Sequence, residues 1–251
     1  MTVSISQQLY LDKKRMLRFI AEIGDGGSSL ARSLYLPPGV TATEIGAVWG
    51  TTTGLESWAP EVIANAAASA TGSVLFWDKG EGQLVIPPFP LTERDVQAGY
   101  AVDPLVKLLE QELSIALVLV RLGAYAVALC RDEVIIESKV GTGLIHGRHR
   151  KGGSSQQRFQ RHREKQIEQF LIRVCRHAAE MLAPPAATPD YLVYGGAWTT
   201  ILSLEKQCPQ LKKLGLTNLP PLLDIARSNR KVLTSAAARV WASRVIELTD
   251  S

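Results

Sequence analysis

Cysteine is scarce in this chain, with three residues, Cys130, Cys175 and Cys208, and aromatic residues make up only 6%. The cysteines are far apart and form no CxxC pair, and none stands at zinc-finger spacing from His146, His149, His162 or His177. These absences argue against a disulfide framework and against a structural zinc site, so a reducing cytosol is the expected compartment and no metal or cofactor is expected. Met1 to Arg18 contains no apolar core and no small-residue cleavage site, so no secretory signal is expected. Long hydrophobic runs are nearly absent too. The one stretch to test is Leu113 to Cys130, LSIALVLVRLGAYAVALC, interrupted by Arg121 and Gly123. A charge and a glycine at its centre favour two buried strands joined by a tight turn over a membrane span.

What is present is ordinary in amount. The 251 residues are 46% hydrophobic, which excludes wholesale disorder and suffices for one large or two smaller cores. The formal charge is only +4, but it is unevenly placed. Between His146 and Lys165 stand seven Lys or Arg against Glu164 alone, so this segment carries +6 and the rest of the chain −2.

Apolar spacing at Leu11, Met16, Leu17, Ile20 and Ile23 predicts a helix over Gln7 to Ile23. A strand follows at Leu30 to Leu36, then an alanine-rich helix from Glu56 or Glu61 to Ala70. Val74 to Trp77 and Gln83 to Ile86 flank the turn composition Asp78-Lys79-Gly80-Glu81-Gly82 and read as a hairpin. After a helical connector, Asp103 to Glu112, three strand patterns follow closely: Ile115 to Val120, Ala124 to Leu129 and Glu133 to Ser138. Connections this short allow only an antiparallel meander. The polar stretch Gly141 to Ser155 leads into a long helix ending before Pro184-Pro185. Tyr191 to Tyr194 then reads as a strand, Ala197 to Glu205 as a helix, Pro220 to Ile225 as extended, and Lys231 to Leu248 as a final amphipathic helix. The pattern gives two α/β domains, residues 1–105 and 106–251, the second with a mixed sheet.

The segment His146 to Lys165 reads HGRHRKGGSSQQRFQRHREK. Gly152 and Gly153 permit close backbone approach to a partner, and the flanking cations suit phosphates. Between them stand only the neutral hydrogen-bonding residues Ser154, Ser155, Gln156 and Gln157. On spacing alone a solvated charged loop and helix end accounts best for the run, with simple RNA or DNA binding next. A Walker-type phosphate loop is excluded because GxxxxGK[ST] does not occur, and neither serine sits in a GxSxG elbow.

Gly152-Gly153-Ser154-Ser155-Gln156-Gln157-Arg158-Phe159-Gln160-Arg161 resembles the catalytic loop and following helix of archaeal and eukaryotic class-1 release factors, which carry Gly-Gly-Gln and then Arg-Phe. The meander, Tyr191 to Trp198 (YLVYGGAW) and Leu222 to Ile225 resemble strands of their middle domain, and Lys14 to Gly39 resembles the start of their N-terminal domain. Aligning Arg158-Phe159 without a gap puts Ser154 at the family's glutamine position and displaces the glutamine here to Gln156. Such a displacement resembles the Vms-type branch, the stalled-ribosome peptidyl-tRNA hydrolases. No Asn-Ile-Lys-Ser stop-codon motif occurs in the first domain.

The resemblance implies a degenerate release-factor N-domain over 1–105. It implies a release-factor-like, RNase H-like mixed-sheet α/β domain with a protruding catalytic loop over 106–251. It implies codon-independent hydrolysis of the ester in P-site peptidyl-tRNA by a monomer acting in the cytoplasm on the ribosomal large subunit at the peptidyl-transferase centre, without cofactor, metal or membrane. Gln156 would orient the water, with Gln157 as its rival, and Gly152 and Gly153 would admit the loop. Arg148, Arg150, Lys151, Arg158, Arg161 and Arg163 would meet rRNA or tRNA phosphates. The competing classes are a non-catalytic ribosome-binding rescue factor and a nuclease acting on tRNA. Cys175 is expected as a small buried hydrophobe, His177 as solvent-facing, and the five scattered tryptophans as packing residues.

Overall fold

The computed structural model describes residues 2–54, 58–145, 154–182, 188–220, 222–226 and 228–250, with the backbone alone at 154–156. In chain order the elements are β1 (Val3–Leu11), α1 (Lys13–Gly24), β2 (Arg32–Leu36), α2 (Ala42–Thr53), α3 (Pro60–Ala67), β3 (Ser73–Asp78), β4 (Glu81–Ile86), β5 (Asp95–Ala98) and α4 (Asp103–Glu110). They continue with β6 (Ser114–Arg121), β7 (Ala124–Arg131), β8 (Val134–Thr142), α5 (Ser154–Leu182), β9 (Tyr191–Gly196), α6 (Trp198–Gln207), α7 (Pro209–Lys213), β10 (Thr217–Asn218), α8 (Arg230–Val240) and β11 (Ser243–Asp250). The chain forms two compact units: residues 1–111 with 238–251, and residues 112–237.

The first unit is built on an antiparallel sheet in the order β1-β11-β4-β3-β2-β5. Its core holds Trp49 of α2, Trp58 and Trp77, with ring centroids 4.9 and 5.1 Å apart in succession. Two sequence expectations are corrected here. The helix expected over Gln7 to Ile23 begins only at Lys13, after Asp12 caps it by accepting from the Arg15 amide at 2.8 Å. Residues before it form β1, because β11 supplies a ladder of partners from Val3↔Asp250 to Leu11↔Ser243. The helix expected over Lys231 to Leu248 stops at Val240, and β11 inserts between β1 and β4. The division expected at residues 105 and 106 therefore falls at 111 and 112, with the C-terminal segment joining the first unit. A strand made by chain ends far apart in sequence leaves no local signal.

The second unit is centred on a mixed sheet in the order β10-β9-β6-β7-β8. β6, β7 and β8 form the expected antiparallel meander, while β9 runs parallel to β6 and β10 parallel to β9. This is the RNase H-like strand order. The apolar stretch 113–130 is β6, a tight turn and β7, and no helix among the described residues is long and apolar enough to cross a membrane. Ile115 to Val120 are buried on both faces of the sheet, which explains their unbroken apolar run. One face is covered by α5, α6 and α7, whose Phe170, Val174, Ala178, Ile201 and Leu211 pack on Val118, Tyr125 and Val127.

The cysteine expectation is also corrected. Cys175 of α5 and Cys208, between α6 and α7, form a disulfide across 33 residues of sequence. Both are buried, and the packing of α5 against α6 and α7 brings them together. Cys130 remains a buried free thiol, its pKa pushed up to about 11 by burial.

Candidate ribosome-facing catalytic arm

The long helix α5 has two different halves. From Phe170 to Leu182 its Phe170, Leu171, Val174, Cys175, Ala178, Met181 and Leu182 are buried. Before that, Gln157, Arg158, Gln160, Arg161, His162, Glu164 and Lys165 are exposed, and Phe159 is 57% exposed. The helix first meets the core where Ile167 and Ile145 pack against it. The thirteen steps from Ser154 to Ile167 correspond to about 20 Å of helix at 1.5 Å per residue. α5 therefore carries its N-terminal end well past the packed part of the domain.

The root of this arm is fixed by close contacts. The Gly143 amide donates to the Gly123 carbonyl at 2.9 Å, tying the exit of β8 to the β6–β7 turn. A Cβ at Gly143 would stand 2.6 Å from the Phe170 ring, and one at Gly141 would stand 2.3 Å from the Tyr125 hydroxyl oxygen. Only glycine permits either approach. Arg173 of α5 donates to the Thr142 carbonyl at 3.1 Å.

Arg158, Arg161 and Lys165 recur at helical spacing and fall within roughly a 60° sector of the arm. Neither Arg158 nor Arg161 makes an ion pair among the described residues, whereas the acid between them and the core, Glu164, accepts from Gln160 at 3.0 Å. Arg163 is half-buried on another face. Of the residues singled out in the sequence, Arg148, Arg150, Lys151, Gly152 and Gly153 lie outside the described residues. Gln156 and Gln157 fall on the first turn of α5, rather than in the loop ahead of it, and Gln157 is exposed. The amides of a helix's first turn have no intrahelical acceptor and point outward along the axis.

Sequence reading missed the support beneath the arm. His177, expected to face solvent, is half-buried and shares a hydrogen bond with the Tyr125 hydroxyl across the α5–β7 interface. Burial, then the charges of Lys139 and Arg176, hold the His177 pKa below the ordinary histidine value. The unfolded chain then takes up a proton that the folded chain resists, so stability should fall as pH drops from about 6.5 and stay level above it. His177→Gln should flatten that dependence, read as denaturation midpoints across acidic and neutral pH. An unchanged acid slope in the variant would remove His177 as its source. Four tryptophans are buried as expected, but Trp198, at the start of α6, is 62% exposed.

The mixed sheet, with a glycine-bearing basic segment leading in sequence into a long helical arm, fits the domain expected from the resemblance to class-1 release factors. Residues 114–246 match the family described as Actinobacteria/chloroflexi VLRF1 release factor, acVLRF1, and the chain belongs to this family. The match begins at β6, spans the remainder of the second unit and runs into β11. Peptide chain release factor subunit 1 of Archaeoglobus fulgidus is 31% identical over 97 residues, covering 39% of this chain and 24% of that protein. The same factor of Aeropyrum pernix is 22% identical over 209 residues, covering 72% of this chain and 56% of its own. A crystal structure of the archaeal translation termination factor aRF1 aligns with 92% of this chain and 73% of its own, at 16% identity and a TM-score of 0.39. The chain thus matches about a quarter of the Archaeoglobus relative's length and about half of the Aeropyrum relative's.

Proposed function

We propose that this protein hydrolyses the ester of peptidyl-tRNA on stalled ribosomes or free large subunits, without reading a stop codon. The observation that carries the reading is the arm: the N-terminal part of α5, exposed from Gln157 to Lys165 apart from half-buried Arg163, basic along one stripe, and preceded in the sequence by Gly152-Gly153-Ser154-Ser155-Gln156. A helical arm of that reach suits an ester held deep within an RNA-lined cavity. Arg158 and Arg161, with Arg148, Arg150, Lys151 and Arg163, supply charge for rRNA or tRNA phosphates.

The substrate ester is already activated, so the reaction asks for a positioned water and for donors to the developing oxyanion, not for a strong nucleophile. A glutamine amide both donates and accepts and stays neutral. Gln156 therefore orients the water, while amides at the start of α5 face the end where negative charge develops. Gly152 and Gly153, just ahead of α5 in the sequence, bring no side chains of their own to a close approach. Codon independence rests on the absence of an Asn-Ile-Lys-Ser sequence from residues 1–105.

The test is incubation of the protein with isolated large subunits carrying labelled peptidyl-tRNA. Peptide release with an intact tRNA 3′ CCA end is the expected result. A shortened tRNA would replace the reading with a nuclease, and tight binding without release would replace it with a non-catalytic rescue factor.

A further inference from the structure

The second unit has a cleft of about 390 Å³ at the carboxyl end of β6, lined by Arg121, Leu122, Ala124, Ala226, Ser228 and Asn229. Ser228 is only 4% exposed, and its hydroxyl has no hydrogen-bond partner among the described residues. Buried polar groups in native proteins are nearly always satisfied, so a hydroxyl of this kind lining a cleft calls for a water or a bound group there.

The surroundings define the chemistry of that group. Asn229 caps α8, its side-chain oxygen accepting from the Val232 amide at 2.9 Å. The earlier amides of the α8 first turn, at Arg230 and Lys231, have no acceptor within the helix. Across the cleft, Arg121 Nε donates to the Ile225 carbonyl at 2.7 Å, which fixes the guanidinium plane. Its Nη2 lies 3.8 Å from the Asp224 carboxylate, but the two side chains are 43% and 96% exposed, so water weakens that pair. Arg230 and Lys231, the first residues of α8, follow Asn229 directly in sequence and add two cations to this stretch. A guanidinium, a hydroxyl and a helix N-terminus together recognise a phosphate.

We propose that this cleft binds a backbone phosphate of RNA, beside a base stacked on Trp198. Gly196 of β9 pairs with Val120, the residue before Arg121, and the exposed Trp198 follows two residues later. An exposed aromatic just past the end of the strand that neighbours the phosphate-binding cation suits a single-stranded nucleotide, whereas a free phosphate has no use for it. The same turn anchors the root of the catalytic arm through the Gly143-to-Gly123 hydrogen bond. This inference rests on the ribosomal reading above and extends it with a second RNA contact at the base of the arm.

The full chain is titrated into a labelled short single-stranded RNA across a salt series, with inorganic phosphate and AMP as competitors. Ser228→Ala should weaken binding without changing the salt slope, because the hydroxyl is neutral. Arg121→Gln should weaken binding and reduce the slope by about 0.7, the value for one lost phosphate contact on a single strand. Trp198→Ala should weaken binding on the order of tenfold at unchanged slope. Wild-type affinity in a Ser228→Ala protein of unchanged melting temperature overturns the site, and that variant decides the matter if Arg121→Gln fails to fold. Protection of the site by inorganic phosphate or AMP in a protein that does not bind RNA would assign it to a free phosphate compound and overturn the RNA assignment. Peptide release measured in parallel separates the two readings. Loss of RNA binding in Ser228→Ala supports the cleft even where the wild type releases no peptide. Unchanged RNA binding refutes the cleft even where release is intact.

Discussion

Gln156→Ala should lower the rate of peptide release by about 100- to 1,000-fold, the cost of removing one positioned polar group at an acyl-transfer centre. Binding to the large subunit should change little, because the phosphate contacts reside in the cations of the arm. The loss should therefore appear in single-turnover release at saturating protein, and not in the concentration giving half-maximal release. Gln157→Ala is the discriminating control. Adjacent positions on a helix differ by about 100° in azimuth, so replacing each glutamine in turn separates their roles. Full release by Gln156→Ala with loss in Gln157→Ala would transfer the role to Gln157. Full release by both would end the glutamine mechanism.

Breaking the Cys175–Cys208 disulfide should destabilise the second unit by about 3–4 kcal/mol, as chain-entropy closure of a loop of this length implies. For a unit of this size that is a fall in melting temperature on the order of 10 °C. A thermal melt with and without reductant checks it, together with Cys175→Ala/Cys208→Ala, which should melt low under both conditions. Cys130 does not confuse the reading, since its thiol is buried and its pKa is raised by that burial. Identical wild-type melts in the two buffers would mean that the pair contributes nothing. The stability of the long helix is at issue, because Cys175 lies in the half of α5 that packs on the sheet and anchors the exposed arm.

Sequence pattern was most informative where local chemistry decided the structure. The β6–β7–β8 meander, the β3–β4 hairpin, α5, β9 and α6 are all written in runs of apolar residues and in turns too short for any other connection. α2 was legible in principle: Thr41 and Glu44 form a capping box, with the Thr41 amide donating to Glu44 at 2.9 Å. Gly46, Gly50 and a run of threonines masked the helical pattern within it. β5 and β10 are too short to carry a pattern of their own, and each exists because a longer strand offers it an edge.

By itself, the sequence determined that one segment holds the charge, that glycines and glutamines stand at its centre, and that a long helix follows. Each of these is a matter of residue type and near-neighbour spacing. Tertiary structure decided where the helix leaves the core, since that depends on Ile167 and Phe170 finding Ile145 and Gly143 across the fold. It decided that β11 completes the first sheet, that Cys175 meets Cys208, and that Ser228 and Arg121 share one cleft. Those pairs are separated by between 33 and more than 200 residues, and only the packed chain brings them together.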